Sequence, residues 1–330
     1  MRMEELKMLV AVLLFLLGFA LLIKGGDWFV DGATGIAHRF HLPELLIGAT
    51  VVSIGTTLPE VMVSAQAALQ NNSGISYGNA IGSIICNTSL IAALTIAIKP
   101  GLVNKNSLRL PTFAFFLAAA IYCFSAYVFG GFSRWTGILF LCMFAVYMVI
   151  SVRQMKNNPE EAAGAEEEEK TEETTLTKDI GLLVVGAAAI AWGANLLVNN
   201  GTIIAQALGV PDSVIGLTMV ALGTSLPELI TAITSLMKGH GALSLGNVIG
   251  ANLFNIVLVS GTAITIAPFA IPAEKQLLGM NSSLLVDIPV MLTVMLLLCV
   301  PALKDGKLYR WQGITLLCIY ALFTIYQFVF

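Results

Sequence analysis

Apolar residues run along this chain in blocks much longer than the stripe of an amphipathic helix, and short polar stretches separate them. A helix needs about 20 residues to cross the hydrocarbon of a bilayer. Blocks of that length fall at residues 8–36, 43–69, 77–98, 110–130, 134–152, 180–207, 213–237, 243–265, 282–302 and 310–330. The pattern predicts an all-α polytopic membrane protein with ten transmembrane helices. The first block follows Glu4 and Glu5 and has no small-residue cleavage pattern after it, so it reads as a membrane helix, not a signal peptide. Spans one and six are long enough to be strongly tilted or to lie partly outside the bilayer.

Ten alternating spans sort the Lys and Arg residues into two groups. Thirteen share one side, among them Lys24, Arg39, Lys99, Lys105, Arg153, Lys238 and Lys304; Arg2, Lys7, Arg134 and Lys275 lie opposite. The basic side is expected to be cytoplasmic, which puts the chain in the plasma membrane with both termini outside. The chain then divides into a first five-helix half (1–155), an acidic cytoplasmic linker (156–179) and a second five-helix half (180–330).

Composition agrees with the pattern. Only 11% of the 330 residues are charged and 57% are hydrophobic, which excludes an ordinary soluble enzyme. Nine of the twenty acids fall between Glu160 and Asp179, so the net charge of −3 marks the linker and implies no nucleic-acid partner. The five cysteines lie in apolar runs without CxxC spacing and read as small buried hydrophobes.

The chain repeats itself at a constant offset of 168 residues. Residues 48–87 align without a gap to residues 216–255, with 14 of 40 pairs identical, and the signature segments extend over 43–98 and 211–265. The shared residues are mostly Gly, Thr, Pro, Glu and Asn. Five spans per half is an odd number, so the second copy starts on the opposite side and the two five-helix repeats are inverted, as in alternating-access transporters.

The polar residues inside the spans carry the chemistry. GTTLPE and GTSLPE sink Glu60 and Glu228 into apolar helices, where an unpaired charge costs about 2.5 to 3.5 kcal/mol. No Lys or Arg lies at comparable depth in the sequence, so a mobile cation is the natural partner. Ser53, Thr56, Thr57 and Glu60 share one helical face, and Ala221, Thr224, Ser225 and Glu228 repeat it. Pro59 and Pro227 should kink their helices and free the carbonyls of Gly55 and Gly223. Carboxylate, hydroxyl and carbonyl oxygens suit Ca²⁺ or Na⁺.

The next span of each half adds Ser83 with Asn87 in the first copy and Asn255 in the second. Asn87 and Asn255 are expected to contribute oxygens, whereas Asn79 and Asn247 are expected to be structural. Gly78, Gly82, Gly246 and Gly250 should allow close helix approach. Lys24, Asp27 and Asp31 read as an interfacial polar cluster, and Asp287 as a residue near the outer surface. His38, His41 and His240 form no HExxH pattern, and neither GxSxG nor a P-loop occurs. No enzyme chemistry is indicated.

With GTTLPE...GNAIGSIICN and GTSLPE...GNVIGANLFN, the chain resembles the calcium/cation antiporter superfamily, most closely the prokaryotic sodium/calcium exchangers. The resemblance implies antiport of Na⁺ against Ca²⁺, with Glu60 and Glu228 as shared central carboxylates and Thr56 and Thr224 giving main-chain oxygens. It further implies Na⁺ sites at Thr57, Ser225, Ser83, Asn87 and the carbonyls of Ser53 and Ala221. The expected substrates are Ca²⁺ and Na⁺, with lipid as surroundings, no resident cofactor and no obligate protein partner. Asn255 and Ala251 stand where many such exchangers carry Asp and Ser, so proton/calcium exchange stays open as an alternative, and a cation channel as a more distant one. Proton exchangers of this superfamily typically carry GNxxE, and here Asn79 is followed by Ala80, Ile81 and Gly82.

Overall fold

A computed structural model describes residues 3–40, 42–157, 175–207, 225–273, 276–277 and 279–329. Most of the acidic linker, the start of the expected seventh span and, with it, Ala221, Gly223 and Thr224 lie outside the described residues. The rest is helical, save a two-residue hairpin that pairs Gln276–Leu277 with Met280–Asn281. In chain order the helices are α1 (Met3–Arg39), α2 (Glu44–Leu69), α3 (Ser73–Ile98), α4 (Lys105–Phe129) and α5 (Arg134–Asn157). They are followed by α6 (Leu176–Ala207), α7 (Leu226–Met237), α8 (Gly241–Ile266), α9 (Ser283–Asp305) and α10 (Arg310–Val329).

Eight described helices, not the expected ten, are long and apolar enough to cross a membrane. Within its described residues α7 is only 12 residues long, because the apolar block that begins at residue 213 is only partly described. α10, 20 residues long, is the other predicted span outside the eight. α1 spans 37 residues, about 55 Å at 1.5 Å per residue, well beyond a hydrocarbon core of about 30 Å.

α1 and α6 form the most extensive helix pair, and glycines set their contact. A Cβ added at Gly18 would lie 2.8 Å from the carbonyl oxygen of Gly193, and one at Gly25 would lie 3.0 Å from that of Gly186. Backbone meets backbone here, as small residues allow in membrane helix pairs. Gly186 and Gly193 stand 168 residues after Gly18 and Gly25, so the crossing pairs each glycine with the other one's counterpart.

α3 and α8 share a finer feature. Each starts as an α-helix (Ser73–Cys86 and Gly241–Phe254), widens into a π-helical turn (Asn87–Ala92 and Asn255–Ser260), and returns to α-helix (Ala93–Ile98 and Gly261–Ile266). All three boundaries coincide at the 168-residue offset. α2 has a π-helical turn at Gly48–Val52, and the Ser53 hydroxyl donates to the carbonyl of Gly48 at its start over 2.7 Å. Two of the four predicted glycine approaches are present: Cβ atoms at Gly246 and Gly250 would strike Leu45 and Ser53 of α2. At Gly78 and Gly82 nothing among the described residues lies within 4 Å; positions 213, 217 and 221, which stand 168 residues after Leu45, Ala49 and Ser53, lie outside the described residues.

The connections gather at two ends. At one, Arg39 pairs with Asp179 at 3.4 Å, His240 Nδ1 lies 2.6 Å from Glu44, and the Val103 amide donates to Gly306. Lys105 and Arg310 donate to the carbonyls of Lys304 and Ile98 at this same end. At the other, the Phe132 amide donates to Phe269, and Arg134 to the carbonyl of Ile266. Basic residues are concentrated at the first end, as the alternating loops predict.

Candidate cation site

α2 and α7, with α3 and α8 packed against them, place the sequence-predicted oxygens in the interior. Glu60 and Glu228 are both fully buried, and neither carboxylate has a hydrogen-bond partner among the described residues. The two acids are close enough to act on each other electrostatically. Thr56 and Thr57 lie beside the Glu228 carboxylate, yet the Thr57 hydroxyl closes no hydrogen bond of ordinary geometry.

The unsatisfied atoms form a pattern. Thr57 Oγ1, both Glu60 oxygens and both Asn87 side-chain atoms are buried without a partner; so are Ser225 Oγ, both Glu228 oxygens and both Asn255 side-chain atoms. These are three pairs at the 168-residue offset: Thr57 with Ser225, Glu60 with Glu228, and Asn87 with Asn255. Buried polar groups almost always find partners, because leaving one unpaired costs about 1 to 3 kcal/mol. Six residues at equivalent places in the two repeats thus bury polar side-chain atoms that have no partner among the described residues.

Other predicted residues take different roles in the geometry. The Ser53 hydroxyl already donates to Gly48, and lies 3.0 Å from the Asn247 carbonyl. The Thr56 hydroxyl donates to Asn247 Oδ1 over 3.2 Å, which leaves the main-chain oxygen of Thr56 as the group the family resemblance assigns. Ser83 is buried one turn before Asn87. Asn79 donates to the Glu60 carbonyl and to Ser64 Oγ over 3.0 and 2.8 Å, while Asn247 ties α8 to α2. Asn79 thus makes the cross-helix bonds expected of a structural residue; Asn247 accepts across helices through Oδ1, while its Nδ2 has no partner among the described residues.

α2 stays helical through Pro59, and a separate π-helical turn lies upstream at Gly48–Val52. In the second copy Pro227 sits in the first turn of α7, where a proline removes no helical hydrogen bond.

Several neighbours were not legible from spacing. Cys86 lies beside Ser225 and within electrostatic range of both acids. Cys142 and Cys318 are exposed on the bundle surface, not buried as expected. The cluster of Lys24, Asp27 and Asp31 includes Lys238, whose Nζ is 3.6 Å from Asp27 and 2.7 Å from Asp31. Asp287 accepts from Gln327 over 2.9 Å. Thr231 and Ser235 on α7 are buried and unpartnered as well. Their signal is a pair of hydroxyls three and seven residues after Glu228, on one helical face.

Buried acids inside a bundle of membrane-length helices are the setting in which membrane proteins handle ions. The chain belongs to the sodium/calcium exchanger family, whose model matches residues 10–153 and 178–329. It is 38% identical over 310 residues to an uncharacterized membrane protein of Methanocaldococcus jannaschii, covering 93% of this chain and 94% of that one. It is 34% identical over 350 residues to the sodium/calcium exchanger MaX1 of Methanosarcina acetivorans, covering 96% and 98%. Among solved structures it is similar to the sodium-calcium exchanger NCX_Mj soaked with 2.5 mM Na⁺ and 10 mM Sr²⁺, with a TM-score of 0.78 and 35% identity over 96% of this chain and 98% of that one. The family consists of exchangers, not catalysts.

Proposed function

We propose that the protein exchanges Na⁺ for Ca²⁺ across the plasma membrane by alternating access, exporting Ca²⁺ as Na⁺ enters. The observation that carries this reading is the set of three repeat-related orphan pairs. Glu60 and Glu228 supply about two negative charges, which one Ca²⁺ or two Na⁺ neutralise, so the two cargoes exclude each other. Thr57, Ser225, Asn87 and Asn255 add neutral oxygens, with main-chain oxygens of Thr56, Thr224, Ser53 and Ala221 and the side chain of Ser83 completing the shell. No resident cofactor takes part.

The architecture belonging to this reading is two inverted five-helix repeats, 1–155 and 180–330, joined by the acidic linker 156–179. The reciprocal glycine crossing of α1 and α6 supports inversion: equivalent helices that contact through swapped equivalent residues run antiparallel about a local two-fold axis. By the positive-inside rule the end bearing Arg39, Lys99 and Lys304 faces the cytoplasm, with both termini outside. An empty site carries two uncompensated carboxylates into a low-dielectric path, and that cost holds the unloaded protein from reorienting.

The test is Ca²⁺ uptake into proteoliposomes under an imposed Na⁺ gradient, compared with a pH gradient of equal energy. Uptake should follow the Na⁺ gradient. Uptake driven by the pH gradient alone would assign proton coupling, and Ca²⁺ flux without any counter-ion gradient would assign a channel.

A further inference from the structure

α7 carries buried polarity that the central site does not use. Glu228, Thr231 and Ser235 lie at i, i+3 and i+7, one face of the helix, with Ser235 about 10 Å from Glu228 along the axis. Thr231 and Ser235 are both 0% exposed, and neither hydroxyl has a hydrogen-bond partner among the described residues. A helical Ser or Thr ordinarily satisfies itself on the carbonyl four residues back, as Thr50, Thr88 and Thr265 do here. These two do not.

Beyond Ser235 the helix ends at Met237, at the end of the bundle where the basic residues gather. A cavity of about 320 Å³ opens there, lined by Leu236 of α7 together with Glu44, Thr95, Lys99, Ser107 and Ser244. A different side of α7, through Ile230 and Thr234, faces Gly26 of α1. The Glu228–Thr231–Ser235 stripe is centred about 110° around the helix from that contact and is fully buried.

The first repeat has no such line. The counterparts of Thr231 and Ser235 are Val63 and Ala67, and the hydroxyl on that helix, Ser64, is engaged by Asn79. The two unpaired hydroxyls are therefore confined to one half and run towards one end of the molecule.

We infer that Thr231 and Ser235 line the passage by which a partly dehydrated cation moves between the cavity at the basic end and Glu228. Each hydroxyl offers an oxygen to a cation that has shed water but has not reached the carboxylates. This inference rests on the ion site proposed above and adds to it a route on one side.

The experiment pairs Thr231→Val/Ser235→Ala, the residues that the first repeat itself carries at these places, with labelling of Ser235→Cys. The double variant should slow Na⁺-driven Ca²⁺ exchange about tenfold, while Ca²⁺ binding to the purified protein stays within about twofold of the parent. A membrane-impermeant cationic methanethiosulfonate should modify Ser235→Cys above the background of the native cysteines, from the basic side only, and Ca²⁺ should slow the modification. An unchanged exchange rate overturns the inference, as does labelling at background. Loss of Ca²⁺ binding in the double variant overturns it too, by making the hydroxyls ligands. Intact Ca²⁺ binding in Glu60→Gln and Glu228→Gln would instead defeat the ion site itself, whatever the labelling shows.

Discussion

Gly25 of α1 and Gly186 of α6 leave no room for a side chain between them: a Cβ on the second would lie 2.8 Å from the carbonyl oxygen of the first. Gly25→Val should therefore destabilise the protein by about 1 to 3 kcal/mol, the usual cost of overpacking. Gly181→Val, on the same pair of helices but with nothing within 4 Å, should cost no more than about 0.5 kcal/mol. Thermal unfolding in detergent compares the two. Equal losses would show that the backbone approach is not what holds the pair.

Glu60→Gln keeps the shape of the side chain and removes its charge. A charge-assisted contact contributes about 1.5 to 3 kcal/mol, so Ca²⁺ binding should weaken roughly ten- to a hundredfold, and Glu228→Gln should behave alike. Titration calorimetry on the purified variants reads the affinity, and exchange in vesicles should fall with it. Near-normal exchange in either variant would remove that acid from the site.

Asn255→Asp adds a third acid beside the first two. Only its ionised form helps to hold Ca²⁺, so the affinity of the variant should rise with pH between about pH 5 and pH 9 more steeply than that of the parent. Parallel pH profiles would place residue 255 outside the reach of the ion.

Asn79→Ala leaves the Glu60 carbonyl and the Ser64 hydroxyl without their shared donor. Stability should fall by about 1 to 3 kcal/mol, with Ca²⁺ affinity reduced much less than in Glu60→Gln. Matching affinity losses in the two variants would make Asn79 a ligand.

The duplicated oxygens were legible because polar residues inside apolar helices stand out, and because duplication printed each of them twice. The gathering of basic residues at one end was legible from loop parity alone. Packing was less so. Gly18 and Gly25 read as ordinary span residues until α6 is laid against them, although the same 168-residue offset relates them to Gly186 and Gly193. The π-helical turns at Asn87 and Asn255 have no residue signature, since they depend on how neighbouring helices accept an extra residue per turn. Lys238 meets Asp27 and Asp31 across more than 200 residues of chain, and local patterning has no access to such a distance.

That Lys238 cluster makes the two mouths of the molecule chemically unlike. Its counterparts in the other copy are neutral: Gln70 for Lys238, and Asn195 and Asn199 for Asp27 and Asp31. Partly exposed ion pairs fade as dissolved salt screens them over about 10 Å at a tenth molar, whereas amides are indifferent to it. The cluster lies at the end the basic residues share, opposite the side from which Na⁺ enters, so the electrolyte that loosens this fastening is not the Na⁺ that drives the cycle.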